Sequence, residues 1–281
     1  MKTVIVTGAN GFIGKHLIRK LAASTFQVQG IGSSFGDLSD GKTWSRLPSA
    51  DIVIHLAAKS SVPGSWECPP DFVQSNCLGT SYALEFCRQH NAKLIFFSSY
   101  MYGDVGAKAI PESAMIYTKN PYALTKQFSE NLCEIYKNNF SVESFILRPF
   151  NVYGPEQSLE FLIPKIVREA QTLGKVHVKD LDPRRDFVYI DDVVEAILKL
   201  IEYSGPHRTF NIGTGQSHSV REVIQTVQSL LRCPIVVTSE DIRRPGEIMD
   251  SVANIELARR ELDWVPKFSL YDGLARMIFG L

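Results

Sequence analysis

No two cysteines in this sequence have the spacing of a metal knuckle or a redox couple. Cys68, Cys77, Cys87, Cys133 and Cys233 are odd in number, and none stands in a C-x-x-C arrangement. That argues against a disulfide framework and a zinc site, and leaves scattered core thiols in a reducing cytosol. An excess of either charge is also missing: Lys plus Arg and Asp plus Glu are both 30. Without a net field the chain has no long-range pull on nucleic acid or an anionic membrane, so any anion must be gripped locally. No apolar run approaches the ~18 residues that a membrane helix needs. In the opening MKTVIVTGANGF, glycines interrupt the apolar stretch after a few residues, so it reads as a buried strand and not as a signal peptide. Repeats, low-complexity tracts and flexible linkers are lacking too. These absences predict a soluble cytoplasmic protein with no metal, nucleic-acid or membrane partner.

What the sequence does have is rhythm. Apolar residues make up 44% of 281, enough for a sizeable core in one large α/β domain carrying a smaller lobe. Apolar β-rich runs at 3–7, 27–31, 51–56, 93–98 and 144–147 alternate with amphipathic stretches at 12–23, 72–90 and 122–138. The run DIVIHL is almost continuous in apolar residues, as a strand covered on both faces should be. Such alternation predicts βαβ units and a doubly wound parallel sheet with helices on both faces. Ligands of such sheets bind beyond the carboxyl ends of the strands, where Gly8, Ala57, Ser98 and Phe150 lie. After residue 150 the rhythm loosens into helices at 162–173, 191–202 and 220–231, with short strands at 176–178, 209–212 and 235–237. Asp191 and Asp192 open the second of these helices.

The first strand runs directly into Gly8-Ala9-Asn10-Gly11-Phe12-Ile13-Gly14. With a strand before it and a helix after it, this G-x-x-G-x-x-G predicts a Rossmann-type dinucleotide loop. Gly8 makes the turn, Gly11 admits a phosphate, Gly14 lets the helix pack on the strand, and the helix N–H groups face the pyrophosphate. At the end of the second strand, where an acid would hold the adenosine ribose, the sequence reads Gly32-Ser33-Ser34. Nothing there repels a 2′-phosphate, and the serine hydroxyls could bond to one. That tilts the choice of cofactor towards NADP(H) over NAD(H).

Tyr122 and Lys126 are four apart on a predicted helix and so share a face. A phenol near its reference pKa of about 10 is a poor base, and a neighbouring ammonium is expected to favour its phenolate. Ser98, ending a strand alongside, can bond the same substrate oxygen.

These segments, with GDL (36–38), HLAAKSSV (55–62), NCLGT (76–80), FFSSYMYG (96–103), PYALTK (121–126), RPFNVYGP (148–155), RRDFVYIDDVVEAI (184–197), FNIGTG (210–215) and RRPGE (243–247), run in order along the chain. It resembles an extended short-chain dehydrogenase/reductase of the nucleotide-sugar epimerase/dehydratase family. The resemblance implies catalysis by Ser98, Tyr122 and Lys126. Phe12 and Ile13 would face the pyrophosphate, Ser33, Asp37 and Leu38 the adenosine, and Leu56, Ala57, Ala58 and Lys59 the cofactor's inner side. Lys126 would hold the nicotinamide ribose, with Pro149 and Phe150 near the nicotinamide. Residues 1–150, with crossing segments near 182–215, would bind dinucleotide; a smaller α/β lobe, about 151–181 and 216–281, would bind a nucleotide sugar. In that substrate site Ser98, Ser99 and Tyr100 would meet the sugar, Asn151, Arg185 and Arg244 the diphosphate, Glu247 the ribose and Val178 the base. His55 would be structural, packed behind the cofactor. Relatives also imply a homodimer through a four-helix interface built from 72–90 and 122–138.

Within the family, 4,6-dehydratases carry an Asp-Glu pair after the catalytic hydroxyl. Ser99 and Tyr100 stand there instead, so elimination lacks its acid and base. A reductase of a nucleotide-linked 4-keto-6-deoxysugar and an NAD-dependent 4-epimerase remain. The serines after the second strand, the short chain, and the resemblance of HLAAKSSVPGSW and NVYGPEQSLEF to GDP-4-keto-6-deoxymannose reductases favour the first. A dinucleotide-sensing regulator without turnover is the third reading; such members typically lose the Tyr-Lys pair that this chain keeps.

Overall fold

The strand Thr3–Thr7 (β1) carries Val4, Ile5 and Val6 at zero exposure, as a strand covered on both faces must. In the computed structural model, which describes residues 1–102, 109–242 and 248–280, β1 is an inner strand, next to the edge, of a six-stranded sheet. Its neighbours are Gln27–Ile31 (β2) and Ile52–His55 (β3), followed by Lys93–Phe97 (β4), Ser144–Pro149 (β5) and Thr209–Ile212, in the order β2-β1-β3-β4-β5 and then the last strand. The pairs from β2 through β5 are parallel. Between β1 and β3 the strand order reverses, the place beyond the carboxyl ends where sheets of this kind bind ligands. The fold is thus the doubly wound α/β sheet that the alternation predicts.

Contacts divide the chain into two compact units. The first holds residues up to Tyr102, Met115–Arg148 and Ala196–Phe210; the second holds the described part of 103–114, Pro149–Glu195 and the residues from Asn211 onward. The core of the first packs Ile5, Ile31, Val53, Leu94 and Ile146 of the sheet against Trp44, Leu84 and Phe86.

The stretch at 72–90 is not one helix. Pro69–Phe72 leads into a π-helical turn, Val73–Leu78, and then into the helix Gly79–His90. Asn76 explains the wide turn. Its carbonyl accepts from the Thr80 and Ser129 hydroxyls at 2.6 and 3.2 Å. Its side chain is tied to both backbone groups of Lys59 and to the Thr125 hydroxyl. Turns of this kind recur at functional sites. The helix Pro121–Phe140 starts where the Asn120 side chain accepts from Ala123 N at 2.8 Å, with Pro121 at its first position.

Strands of the second unit are short. Arg184–Arg185 lies between His218–Ser219, antiparallel, and Asp250–Ser251, parallel. Asn151–Tyr153 pairs with Phe187–Tyr189, and Lys175–Val178 with Val236–Ser239, which begins one residue later than the sequence rhythm predicts. Asp192 does more than favour a helix N-terminus: its carboxylate accepts from the N–H groups of Lys267 and Phe268.

Candidate active site

Gly8 has φ +70, a left-handed conformation that side chains disfavour, and a Cβ there would lie 2.8 Å from Ala57 N. At Gly14 a Cβ would lie 2.2 Å from the Gly8 carbonyl oxygen, so the helix Phe12–Leu21 (α1) comes this close to β1 only with glycine. Gly11, at the helix N-cap, supplies no capping side chain, and the amides of Phe12 and Ile13 open the first turn. The result is a backbone cradle at a helix N-terminus, which fits a pyrophosphate.

Across the strand reversal, Leu56 N donates to Thr7 O, and Ala57 N to the Thr7 hydroxyl. That hydroxyl also bonds His55 Nδ1 at 2.8 Å. Burial first, and the charge of Lys126 second, hold the His55 pKa down at about 3, so the ring is neutral. Ala58 follows. The Lys59 backbone is fixed by Asn76, while its ammonium pairs with Asp71. Beyond β2, Ser33 sits exposed in the turn Ser33–Phe35. Asp37 accepts from Ser39 N, which lowers its pKa, and the Leu38 carbonyl accepts the Trp44 indole. The structure thus brings the glycine turn against Leu56 and Ala57 beyond the ends of β1 and β3, while Ser33, Asp37 and Leu38 follow the end of β2.

Ser98 follows β4. Its N–H donates to Leu147 O, while its buried Oγ has no hydrogen-bond partner among the described residues. Buried hydroxyls nearly always have one, so this group is available to a bound molecule. Lys126 is buried one turn after Tyr122; its Nζ donates to Phe97 O at 2.7 Å and lies 4.9 Å from the Phe96 ring centroid.

Here the structure departs from the expectation of a phenolate favoured by Lys126. Burial pushes the Tyr122 phenol up to about 12, only partly opposed by a hydrogen bond with Ser99, and Tyr100 adds to the rise. The amine is committed to a main-chain carbonyl, and desolvation is the largest influence on the phenol. Burial also brings Lys126 down to about 8, with Glu130 acting the other way. The phenol thus keeps its proton at neutral pH, the state a general acid needs. Ser99 as the partner of Tyr122 was not foreseen, nor were Asn76 and Glu130; the last is detectable as an acid four residues past Lys126 on the same helix face.

In the second unit, Asn151 N and Nδ2 both donate to Asp186 O, at 2.9 and 3.2 Å. Next to Asp186, Arg185 donates from Nη1 to the carbonyls of Arg184 and Ile248. Asn151 and Arg185 are therefore neighbours, whereas Val178 is buried in a separate two-stranded ladder. Pro149 ends β5, and Phe150 N donates to Ile212 O. Arg244 and Glu247 lie outside the described residues. Among the described residues no group of three or more His, Cys, Asp or Glu could hold a metal, and no helix is long and apolar enough to cross a membrane.

The model of the NAD dependent epimerase/dehydratase family matches residues 4–213. GDP-6-deoxy-D-mannose reductase of Pseudomonas aeruginosa is 30% identical over 256 residues, covering 85% of this chain and 84% of that protein. The structure of UDP-glucose 4-epimerase from Thermotoga maritima with UDP-glucose aligns with a TM-score of 0.91 at 28% identity, covering 98% of this chain and 97% of the other. The NADPH complex of RMD from Pseudomonas aeruginosa aligns at 0.90 and 28% identity, with 99% and 98% covered. Together with the glycine cradle and the parallel sheet, these likenesses show that the chain belongs to the NAD dependent epimerase/dehydratase family, as an NAD(P)-dependent nucleotide-sugar enzyme of the extended short-chain dehydrogenase/reductase type.

Proposed function

We propose that this enzyme reduces C4 of a nucleotide-linked 4-keto-6-deoxysugar, with Tyr122 as the proton donor. The observation that carries this reading is the buried Ser98 hydroxyl, which has no hydrogen-bond partner among the described residues and is followed in the chain by Ser99, the hydrogen-bond partner of Tyr122. Ser98 donates a hydrogen bond to the C4 oxygen, and Tyr122 passes its proton to that oxygen as charge develops on it. Lys126, buried and tied to Phe97 O, holds the nicotinamide ribose and presents a positive charge that stabilises the phenolate left behind. The bound cofactor supplies the hydride.

The cradle of Gly8, Gly11, Phe12, Ile13 and Gly14 holds the pyrophosphate. Ser33, Asp37 and Leu38 take the adenosine end, Leu56, Ala57, Ala58 and Lys59 the inner side, and Pro149 the nicotinamide. With Ser33 and Ser34 and no acid at the end of β2, NADP(H) is the favoured form. Ser99 and Tyr100 join Ser98 at the sugar. Asn151, Arg185 and Arg244 hold the diphosphate, Glu247 the ribose and Val178 the base. Residues 1–150 with 182–215 then form the dinucleotide part, and 151–181 with 216–281 the nucleotide-sugar part. Leu124, Phe128 and Ile135, each about half exposed, form one stripe on Pro121–Phe140, which supports a homodimer through this helix and Gly79–His90.

A 4-epimerase is the second reading, favoured by the likeness to the Thermotoga epimerase. The purified protein separates the two. A cofactor-free protein that consumes NADPH when GDP-4-keto-6-deoxymannose is added supports reduction. Tightly held NAD, with UDP-glucose and UDP-galactose interconverted at no net cofactor cost, would overturn it.

A further inference from the structure

The first unit buries a charged cluster that the proton transfer above does not use. Arg148, near the end of β5, is 7% exposed, Glu130 is 6% and Tyr102 is 2%. The Arg148 guanidinium grips the Glu130 carboxylate in two-pronged fashion, Nε to Oε1 at 3.0 Å and Nη2 to Oε2. Its Nη1 donates to the Tyr102 hydroxyl at 2.8 Å, and the guanidinium carbon lies 5.3 Å from that ring's centroid.

Each arm ends on a backbone that carries a proposed catalytic group. Glu130 lies one helical turn beyond Lys126, on the same face of Pro121–Phe140. Tyr102 is four residues after Ser98, in the segment that leaves β4. A buried ion pair is a poor source of stability, because desolving two charges offsets their attraction; apolar residues of similar volume often serve as well or better. Geometry is the better explanation of this one.

We propose that Arg148 is a positioning residue for proton transfer. By bridging Glu130 and Tyr102 it sets the catalytic helix against the Ser98–Tyr102 segment, and it holds the Glu130 carboxylate beside Lys126 as a counter-charge. This rests on the reading of Ser98, Tyr122 and Lys126 as the catalytic set. The other titratable groups that face Lys126 bring no compensating charge at neutral pH. Burial pushes the Cys77 thiol up to about 11 and the Cys133 thiol higher still, and His55 is neutral. Glu130 is the group that acts most strongly to keep Lys126 protonated against burial.

The test compares the double variant Arg148→Met/Glu130→Leu with Tyr102→Phe, Glu130→Gln and Tyr122→Phe. NADPH consumption with GDP-4-keto-6-deoxymannose and interconversion of UDP-glucose and UDP-galactose are the two assays. The double variant should melt at or above the wild-type temperature, yet lose about 10- to 100-fold in kcat with KM and NADPH affinity little changed, as misplacement of reacting groups predicts. Full kcat in the folded double variant would show that the cluster only fills space, and the proposal would fail. Should the double variant not fold, Tyr102→Phe decides, since it removes one hydrogen bond and leaves the ion pair and ring in place. Reduced kcat at unchanged melting supports positioning, and wild-type kcat overturns it.

Independently of turnover, NMR of protein carrying 15N-labelled lysine follows the Lys126 amine, assigned by its loss in Lys126→Met. In Glu130→Gln that amine should titrate at lower pH than in wild type; an unmoved titration contradicts the counter-charge role. Tyr122→Phe keeps the two claims apart. If it turns over like wild type, the catalytic set is misassigned; if it is inactive while the cluster variants are fully active, positioning alone fails.

Discussion

In the first unit the strands β1 to β5 run four to six residues, with apolar centres in all but β2, and the glycine loop and Ser98 sit beyond their ends. In the second the strands run two to four residues, and a polar group sits at their centre. Asp186 has no exposure. Its Oδ1 accepts from Thr214 N and Oγ1, both at 2.7 Å, and its Oδ2 from Gly215 N at 3.0 Å and Ala253 N at 3.1 Å. One carboxylate thus ties its own stretch to 214–215 and to Ala253, beside the two-residue ladders of Arg184–Arg185 with His218–Ser219 and Asp250–Ser251. Burial raises its pKa, with the donors from Thr214, Ala253 and Gly215 opposing the rise. The first unit rests on a long-stranded apolar sheet to which buried polar ties such as Asn76 are added; the second, with shorter strands, leans on the Asp186 carboxylate for its architecture.

That contrast can be broken by mutation. The largest effect is expected for Tyr122→Phe, which leaves the fold of the first unit alone and removes the proton donor. Turnover should fall about 10²- to 10⁴-fold, with NADPH affinity near wild type by fluorescence titration. Next comes Asp186→Ala, which removes the shared acceptor of the Thr214, Gly215 and Ala253 amides, the last of them buried, and should cost about 2 kcal/mol or more in urea unfolding. Loss of under 1 kcal/mol would mean that the second unit does not depend on this staple. Gly14→Ala should weaken NADPH binding together with the melting temperature, because the obstructing atom is backbone and cannot swing away. Unchanged affinity would remove the cradle from the account. For Arg185→Ala, KM for the nucleotide sugar should rise about tenfold or more while kcat changes less, as expected when a charged hydrogen bond made equally in ground and transition states is lost. The reverse pattern would deny it a diphosphate role. Smallest is Ser33→Asp, which should shift preference from NADPH towards NADH by about fivefold, the scale of an exposed charge interaction.

The same contrast explains what could be read from the sequence. Strands buried on both faces leave apolar runs, so β1, β3, β4 and β5 and the glycine turn were legible, and with them the parallel sheet. A two-residue strand such as Arg184–Arg185 has no period to detect, and the role of Asp186 depends on Thr214, Gly215 and Ala253, up to 67 residues away. The π-helical turn at Val73–Leu78 escaped because it is tied down by Asn76, whose partners Lys59 and Thr125 come from other parts of the chain. At the candidate site, spacing placed Tyr122 and Lys126 on one helix face. It could not show that Lys126 would turn to Phe97 O, or that burial would leave Tyr122 an acid and not a phenolate. Arg148 was visible as a charge inside the apolar run SFILRP, yet nothing local names Glu130 as its partner.

Reduction at C4 turns on where the cofactor's hydride goes, and an isotopic label follows it. NADPH deuterated at the transferable position of its nicotinamide C4 is incubated with the enzyme and GDP-4-keto-6-deoxymannose, and the product sugar is read by mass spectrometry and NMR. One deuterium is expected at C4 of the sugar, with one equivalent of oxidised cofactor per product. A nucleotide sugar processed without label at C4, or with no net consumption of NADPH, would contradict it.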